Sequence, residues 1–242
     1  WHVSDEAVLG AVRRALVLLA DPLAFEGKYS TQDVLLFAVG DGNHSLATAK
    51  AIWEETKAAL RPGDPLLQSH PARYALVELV NIYDEGLPFH PIHRLLFNVK
   101  PAELVSGLRA ANPKGSAARA NVRLQACPDA RSAFAAVNER VEDAHRIGFT
   151  SERSSGYLEF LKPSAHLAAD TIQTFLDSFL ASHPEAGIDY IHGDESLVSL
   201  AHRPGNLGLY LPPVDKSSFF GNVIRDGVMP RKTFSMGEAP EK

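Results

Sequence analysis

The pattern of apolar and polar positions divides the chain into alternating helices and strands. After Ser4, a residue type that caps helix N-termini, Val8, Leu9, Val12, Leu16 and Leu19 recur at helical spacing, predicting an amphipathic helix that ends before Asp21-Pro22. The continuous apolar run Val34–Val39, closed by Gly40-Asp41-Gly42, predicts a strand buried on both faces. A helix from about His44 to Leu60 follows, with Leu46, Ala49, Trp53, Thr56 and Leu60 on one side, broken by Arg61-Pro62-Gly63. Tyr74–Ile82 and Ile92–Val99 predict two more buried strands, with the turn-forming Asp84–Pro88 between them as an antiparallel return.

The rest of the chain continues the alternation. A helix is expected over Ala102–Ala111, a strand over Val122–Ala126, a helix over Ala130–Val141 and strands around Ile147 and Leu158, with the Ala-rich stretch Ala117–Ala120 interrupting. Leu167, Ile172, Phe175, Leu176 and Phe179 mark a helix between Ala165 and Ser182; strand, helix and strand follow over Ile188–Ile191, Leu197–Ala201 and Leu207–Leu211. The expected class is α/β with a mixed sheet. No fixed-period repeat and no low-complexity linker appears, and a soft division near Lys162-Pro163 gives regions 1–162 and 163–242.

Composition narrows the class of partner. With 45% apolar and 22% charged residues the chain is globular, and a formal charge of -5 provides no overall positive field for nucleic acid or an anionic membrane. The lone Cys127 forms no internal disulfide and no cysteine-rich zinc site, which suits a reducing compartment, so cytoplasm is the expected location. No apolar run approaches the roughly 20 residues of a membrane span. A start on Trp1 without methionine, and an end at Glu241-Lys242 directly after a patterned segment, lead to the expectation of a fragment of a longer protein.

The sharpest local chemistry is Gly40-Asp41-Gly42-Asn43-His44-Ser45 at a strand-to-helix junction. Glycines there let the main chain turn tightly, and the free N–H groups of the first helical turn attract an anion such as phosphate. A capping turn, in which Asp41 or Asn43 only satisfies the helix end, explains the same pattern. Neither the Gly-Lys-Ser/Thr ending of a P-loop nor Gly-x-Gly-x-x-Gly is present. The ten histidines lack metal-ligand spacing, and neither Gly-x-Ser-x-Gly nor a workable Ser-His pair supports a serine hydrolase.

Val39–Lys50 (VGDGNHSLATAK) resembles the signature of the uncharacterised family known as domain of unknown function 1015, whose commoner form reads Asp-Gly-His-His-Arg-Tyr. His70-Pro71-Ala72-Arg73-Tyr74, Pro91-Ile92-His93-Arg94 and Met229–Glu238 resemble that family in the same order. Through its Asp-Gly-x-His-Arg turn the family is similar to the ParB/sulfiredoxin-like fold, which includes nucleotide hydrolases, an ATP-using sulfinic-acid reductase and a free-serine kinase. The resemblance implies that His44 and the backbone of Gly42 and Asn43 contact phosphate, and that Asp41 binds Mg²⁺ or orients a nucleophile. Ser45 stands where the wider pattern has arginine, so a bidentate phosphate clamp is missing there, although the Ser45 position remains part of the ligand turn. Asn43 stands where sulfiredoxin has its catalytic cysteine, which disfavours thiol chemistry.

Charge must then come from elsewhere. Arg94, with His93 beside it, offers a planar fork; its plain alternative is a strand-end arginine paired with Glu78 or Asp84. Arg231, Lys232, Thr233 and Ser235 place two cations and two hydroxyls in an apolar segment that can close over an anion, or else form a solvated edge strand; Lys216 is a weaker member of the set. The expectation is a phosphotransferase or nucleotide hydrolase taking a nucleotide such as ATP with Mg²⁺, with Asp41 and His44 catalytic. The alternative is a non-catalytic nucleotide-sensing or scaffold module.

Overall fold

The computed structural model describes residues 2–110, 122–230 and 232–237, so Ala117–Ala120 and Arg231 lie outside the described residues. The chain forms two compact units, Trp1–Ile82 and Tyr83–Lys242.

The first unit is helical. α1 (Glu6–Leu19) starts not on Ser4 but on Asp5, whose Oδ1 accepts the N–H groups of Ala7 at 2.8 Å and Val8 at 3.1 Å. Asp21-Pro22 does end that helix, and it also starts α2 (Pro22–Tyr29), because proline fits the first helical position and Asp21 caps it. α3 (Asn43–Ala59) matches its expected span within a residue, and the half-buried positions along it and its cap are Leu46, Ala49, Trp53, Thr56 and Leu60. A short α4 (Leu66–Ser69) and a 3₁₀ turn at Pro71–Arg73 complete the regular elements.

Two expected strands do not form. Val34–Val39 and Tyr74–Ile82 belong to no strand, and Phe37, Val39, Leu76, Val77 and Leu79 are exposed instead of buried. A strand exists by pairing with a neighbour, and no main-chain N–H or C=O of residues 34–40 or 75–80 has a hydrogen-bond partner among the described residues. The antiparallel return expected at Asp84–Pro88 therefore has no first strand, although its turn chemistry is real: Asp84 Oδ1 accepts the Gly86 N–H at 2.8 Å.

The second unit is α/β. Its elements are β1 (Phe89–Phe97), α5 (Pro101–Ala110), β2 (Val122–Cys127), α6 (Ala130–Asn138), β3 (Ala144–Thr150), β4 (Ser155–Leu161), α7 (Ala168–Ser182), β5 (Gly187–His192), α8 (Asp194–Ala201), β6 (Asn206–Tyr210), α9 (Phe219–Asp226) and β7 (Phe234–Met236). The sheet order is β2-β4-β3-β6-β1-β5, with β7 against the first residues of β1, and the pairings are antiparallel. α9 and β7 are additions to the expected list; both are too short for periodicity to reveal them.

Alternation along the strands gives the sheet two apolar faces. Leu96, Ile147, Phe149, Leu158, Leu207 and Leu209 pack with α5 and α7, while Tyr210 on the other face packs with α6 and α8 through Phe134 and Leu197. Gly208 is required by this second layer, because a Cβ there would lie 2.9 Å from Ala201 Cβ of α8. Gly208→Ala should therefore destabilise the second unit by about 1–3 kcal/mol. In α9, a Cβ on Gly221 meets nothing nearer than Arg225 Nη2 at 3.8 Å, so Gly221→Ala should stabilise by up to about 1 kcal/mol. Urea midpoints shifting in opposite directions for these two variants check the packing.

Candidate functional site

The Asp41–Ser45 turn is built by Gly42, the N-cap of α3, which holds a left-handed φ of 75° that a side chain would strain. The Leu46 N–H donates to the Gly42 carbonyl at 2.9 Å, closing the first helical turn. Asp41 Oδ1 accepts the Gly42 N–H at 2.8 Å. No side chain caps the helix, so the N–H groups of Asn43, His44 and Ser45 are without hydrogen-bond partners among the described residues. Asp41, His44 and Ser45 are exposed. Of the two sequence-based readings of this corner, capping by Asp41 reaches only the Gly42 amide and leaves three donors at the positive end of a 17-residue helix dipole.

A cleft of about 390 Å³ runs along α3 from Asn43 past Leu46 and Lys50 to Trp53, with Val39, Arg73 and Tyr74 on its other side. Arg73 donates to the Leu67 carbonyl at 3.0 Å and to Gln68 Oε1. Lys50 and Arg73 were not among the cations singled out from the sequence; helical spacing from Asn43 to Lys50, two turns on, is the signal that places the lysine on the same face. Among the described residues no group of three or more His, Cys, Asp or Glu side chains is arranged to hold a metal.

The other candidates belong to the second unit, around β1. Arg94 is fully buried on the α7 face: Nε donates to Gln173 Oε1 at 2.9 Å, Nη1 to the carbonyls of Ile92 at 2.5 Å and Lys232 at 2.9 Å, and the guanidinium lies 4.8 Å from the Tyr190 ring centroid. Burial brings its pKa down to about 10, against the pull of Tyr190 and Asp177, so it stays charged at neutral pH. Its acceptors are an amide and two carbonyls instead of a carboxylate, and among the described residues Nη2 alone of its nitrogens lacks a partner. His93, also fully buried, faces α8: Nδ1 accepts the Leu211 N–H at 3.2 Å, which leaves Nε2 as the donor to Asp194 Oδ1 at 3.2 Å, and the ring stacks on Tyr210.

Of the hydroxyl and cationic segment, Phe234–Met236 forms β7 against the first residues of β1, and Thr233 before it is buried. Lys232 has a left-handed φ of 59° and its carbonyl is held by Arg94; buried Thr233 donates Oγ1–H to the Pro230 carbonyl at 2.6 Å and accepts the Ile92 N–H at 3.2 Å. Ser235 Oγ lies 3.4 Å from His192 Nδ1, and Phe234 stacks on Phe89 at 4.4 Å. Lys216 Nζ donates to the Asp84 carbonyl at 2.7 Å. The second unit thus gathers His93, Arg94, Lys232, Thr233 and Ser235 around β1, where His93 Nδ1, Arg94 Nη1 and Thr233 Oγ1 bind the protein's own main chain. Burial pushes the Cys127 thiol up, the direction that keeps it protonated.

Burial also holds the His93 imidazole below its ordinary value of 6.5, with Asp194 pulling the other way, and holds His145 below it as well. Because the folded form favours the neutral rings, their contribution is complete above about pH 6.5 and is lost as the pH falls through that value and the unfolded chain takes up protons first. The urea midpoint should drop between about pH 7.5 and 5.5, and the slope should flatten in His93→Gln and again in His93→Gln/His145→Gln. Identical slopes in the three proteins would contradict the assignment.

No helix among the described residues is long and apolar enough to cross a membrane. No curated protein matches the sequence. Two solved structures are similar at 12% identity: a conserved hypothetical protein from Pyrococcus furiosus, with a TM-score of 0.45 over 66% of this chain and 60% of that one, and a point mutant of a free serine kinase in complex with AMP, with a TM-score of 0.47 over 79% of this chain and 80% of that one. This chain therefore spans about 60% of the length of the Pyrococcus protein. The sequence profile of the family described as "Protein of unknown function (DUF1015)" matches residues 1–179, a stretch that includes the Asp41–Ser45 turn and β1, and the chain belongs to that family.

Proposed function

We propose that the Asp41–Ser45 turn binds a phosphate-bearing small molecule, a nucleotide such as ATP, in the manner of a phosphotransferase or nucleotide hydrolase. The observation that carries this reading is the set of unpartnered N–H groups at Asn43, His44 and Ser45, at the start of α3 and beside the exposed His44 imidazole. Phosphate oxygens are the acceptors such a cluster of amides and a helix dipole suits. His44 would add a donor, and Lys50, along the same helix face, would add charge. Asp41 has Oδ2 left for Mg²⁺ and, among the described residues, belongs to no group of three or more metal-holding side chains, so Mg²⁺ would be held jointly with phosphate oxygens, where it would neutralise charge on the transferring group. Asp41 itself would position the attacking group.

Binding without turnover is the second reading, a nucleotide-sensing module. It is favoured by one observation: Arg94, the cation expected to offset charge during transfer, is fully buried and holds Gln173 and two carbonyls.

Thermal unfolding with ATP, ADP, CTP or inorganic phosphate, each with and without Mg²⁺, tests the site. A ligand at about 100 times its Kd should stabilise by about 2.7 kcal/mol. His44→Ala should weaken binding about tenfold, the loss of roughly one charge-assisted hydrogen bond. Product analysis then separates the readings: turnover abolished by Asp41→Ala supports the enzyme, and stabilisation with no product supports the sensor. No shift with any of these ligands contradicts both.

A further inference from the structure

Given phosphate at the Asp41–Ser45 turn, a reading on which this one rests, we infer that the cleft beside α3 holds a nucleoside triphosphate lengthwise, with its terminal phosphate on the turn and its base against Trp53 and Tyr74. The cleft lies wholly within the first unit and starts at the open amides. Asn43, Leu46, Ala47, Lys50 and Trp53 follow one another at spacings of three and four or their sums, so a single face of α3 forms one wall.

The chemistry along that wall changes in a fixed order. First come the N–H groups of Asn43, His44 and Ser45, unpartnered among the described residues at the positive end of the helix. Lys50 stands about 10 Å further on, exposed and without a hydrogen bond or ion pair among the described residues. Trp53 follows at about 15 Å from Asn43. Its indole stacks on the His70 ring at 6.0 Å. On the other side of the cleft Tyr74 is anchored by its hydroxyl, which donates to the Gln68 carbonyl at 2.8 Å, while the residue stays 66% exposed.

Amides for an anion, then a cation, then flat apolar rings is the order in which a nucleoside triphosphate presents its parts from the γ-phosphate onward. Length decides among nucleotides. An extended triphosphate chain with its ribose and base covers the distance from the amides to the indole. A monophosphate held by the same amides places its base beside Lys50, short of both rings. Stacking on an aromatic ring strengthens binding of a base by roughly tenfold to a hundredfold, so the longer ligand gains a contact that the shorter one cannot make.

Trp53 itself reports the outcome. The chain has two tryptophans, so Trp1→Phe leaves Trp53 as the only one. In that variant the Mg²⁺ complex of β,γ-imido ATP, whose terminal phosphate is not transferred, should quench the fluorescence saturably. Tripolyphosphate and AMP should leave it unchanged at concentrations that saturate the amide shifts of Asn43, His44 and Ser45. Lys50 and Tyr74 are both exposed, so their variants keep the fold. Lys50→Ala should weaken the imido nucleotide and tripolyphosphate about tenfold each, and Tyr74→Ala should weaken the nucleotide about tenfold while sparing tripolyphosphate. Amide shifts that saturate with the imido nucleotide while Trp53 emission stays constant would overturn the inference and leave the phosphate reading standing. Quenching by AMP equal to that by the triphosphate, or equal losses of both ligands in Tyr74→Ala, would do the same. Still amide signals with every one of these ligands would overturn both.

Discussion

The fold of the second unit depends on β1. Its nine residues pair with β5 along one edge, with β6 along the other and with β7 at its start, so one strand satisfies the main chains of three. Alternation along it then decides what each face receives. Leu96 and Arg94 point to the α7 side, His93 and Leu95 to the α8 side, and all four are fully or almost fully buried. Two polar residues in so dry a place are tolerated because all their ring and guanidinium nitrogens but Arg94 Nη2 have partners. His93 lies between the Leu211 amide and Asp194, and Arg94 ties Gln173, Ile92 and the Lys232 turn into one network. That network holds Lys232 and Thr233 in place ahead of β7.

The same demand for partners explains the first unit by contrast. α1, α2 and α3 satisfy their main chains internally, as helices do, and the caps of the first two at Asp5 and Asp21 are local. The two β-prone runs cannot do this alone. They remain without regular structure, and the apolar face of α3, with half-buried Leu46, Ala49 and Trp53, lines an open cleft. At the end of the first run Gly42 turns the chain into α3 and leaves three amides open, at the junction type where anions are commonly bound.

The sequence was most legible where structure is decided locally. The strands around Ile147, Leu158 and Leu209, and the helix carrying Leu176, are found where alternation and 3.6-residue spacing put them, because each side chain's face follows from its own position. Val34–Val39 and Tyr74–Ile82 carry an equally strong apolar signal, yet that signal says only that a run belongs in a sheet if a neighbour is present, and the neighbour is a non-local fact. The candidate site divides along the same line. Glycine at position 42 and the open helix start were readable as a turn. The burial of Arg94 was not, since its partners Gln173 and Lys232 are far along the chain and nothing in Pro91-Ile92-His93-Arg94 announces them. Lys50 was readable in principle from its helix face.

The central claim is that the corner at Asp41–Ser45 offers its unpaired amides to phosphate. Amide chemical shifts followed while pyrophosphate and then ADP are added test it residue by residue. The account predicts saturable movement of the Asn43, His44 and Ser45 signals at low ligand concentration, reduced in Gly42→Val, whose side chain disfavours the left-handed turn. Still signals at these three positions, with movement confined to scattered surface lysines and arginines, would contradict it.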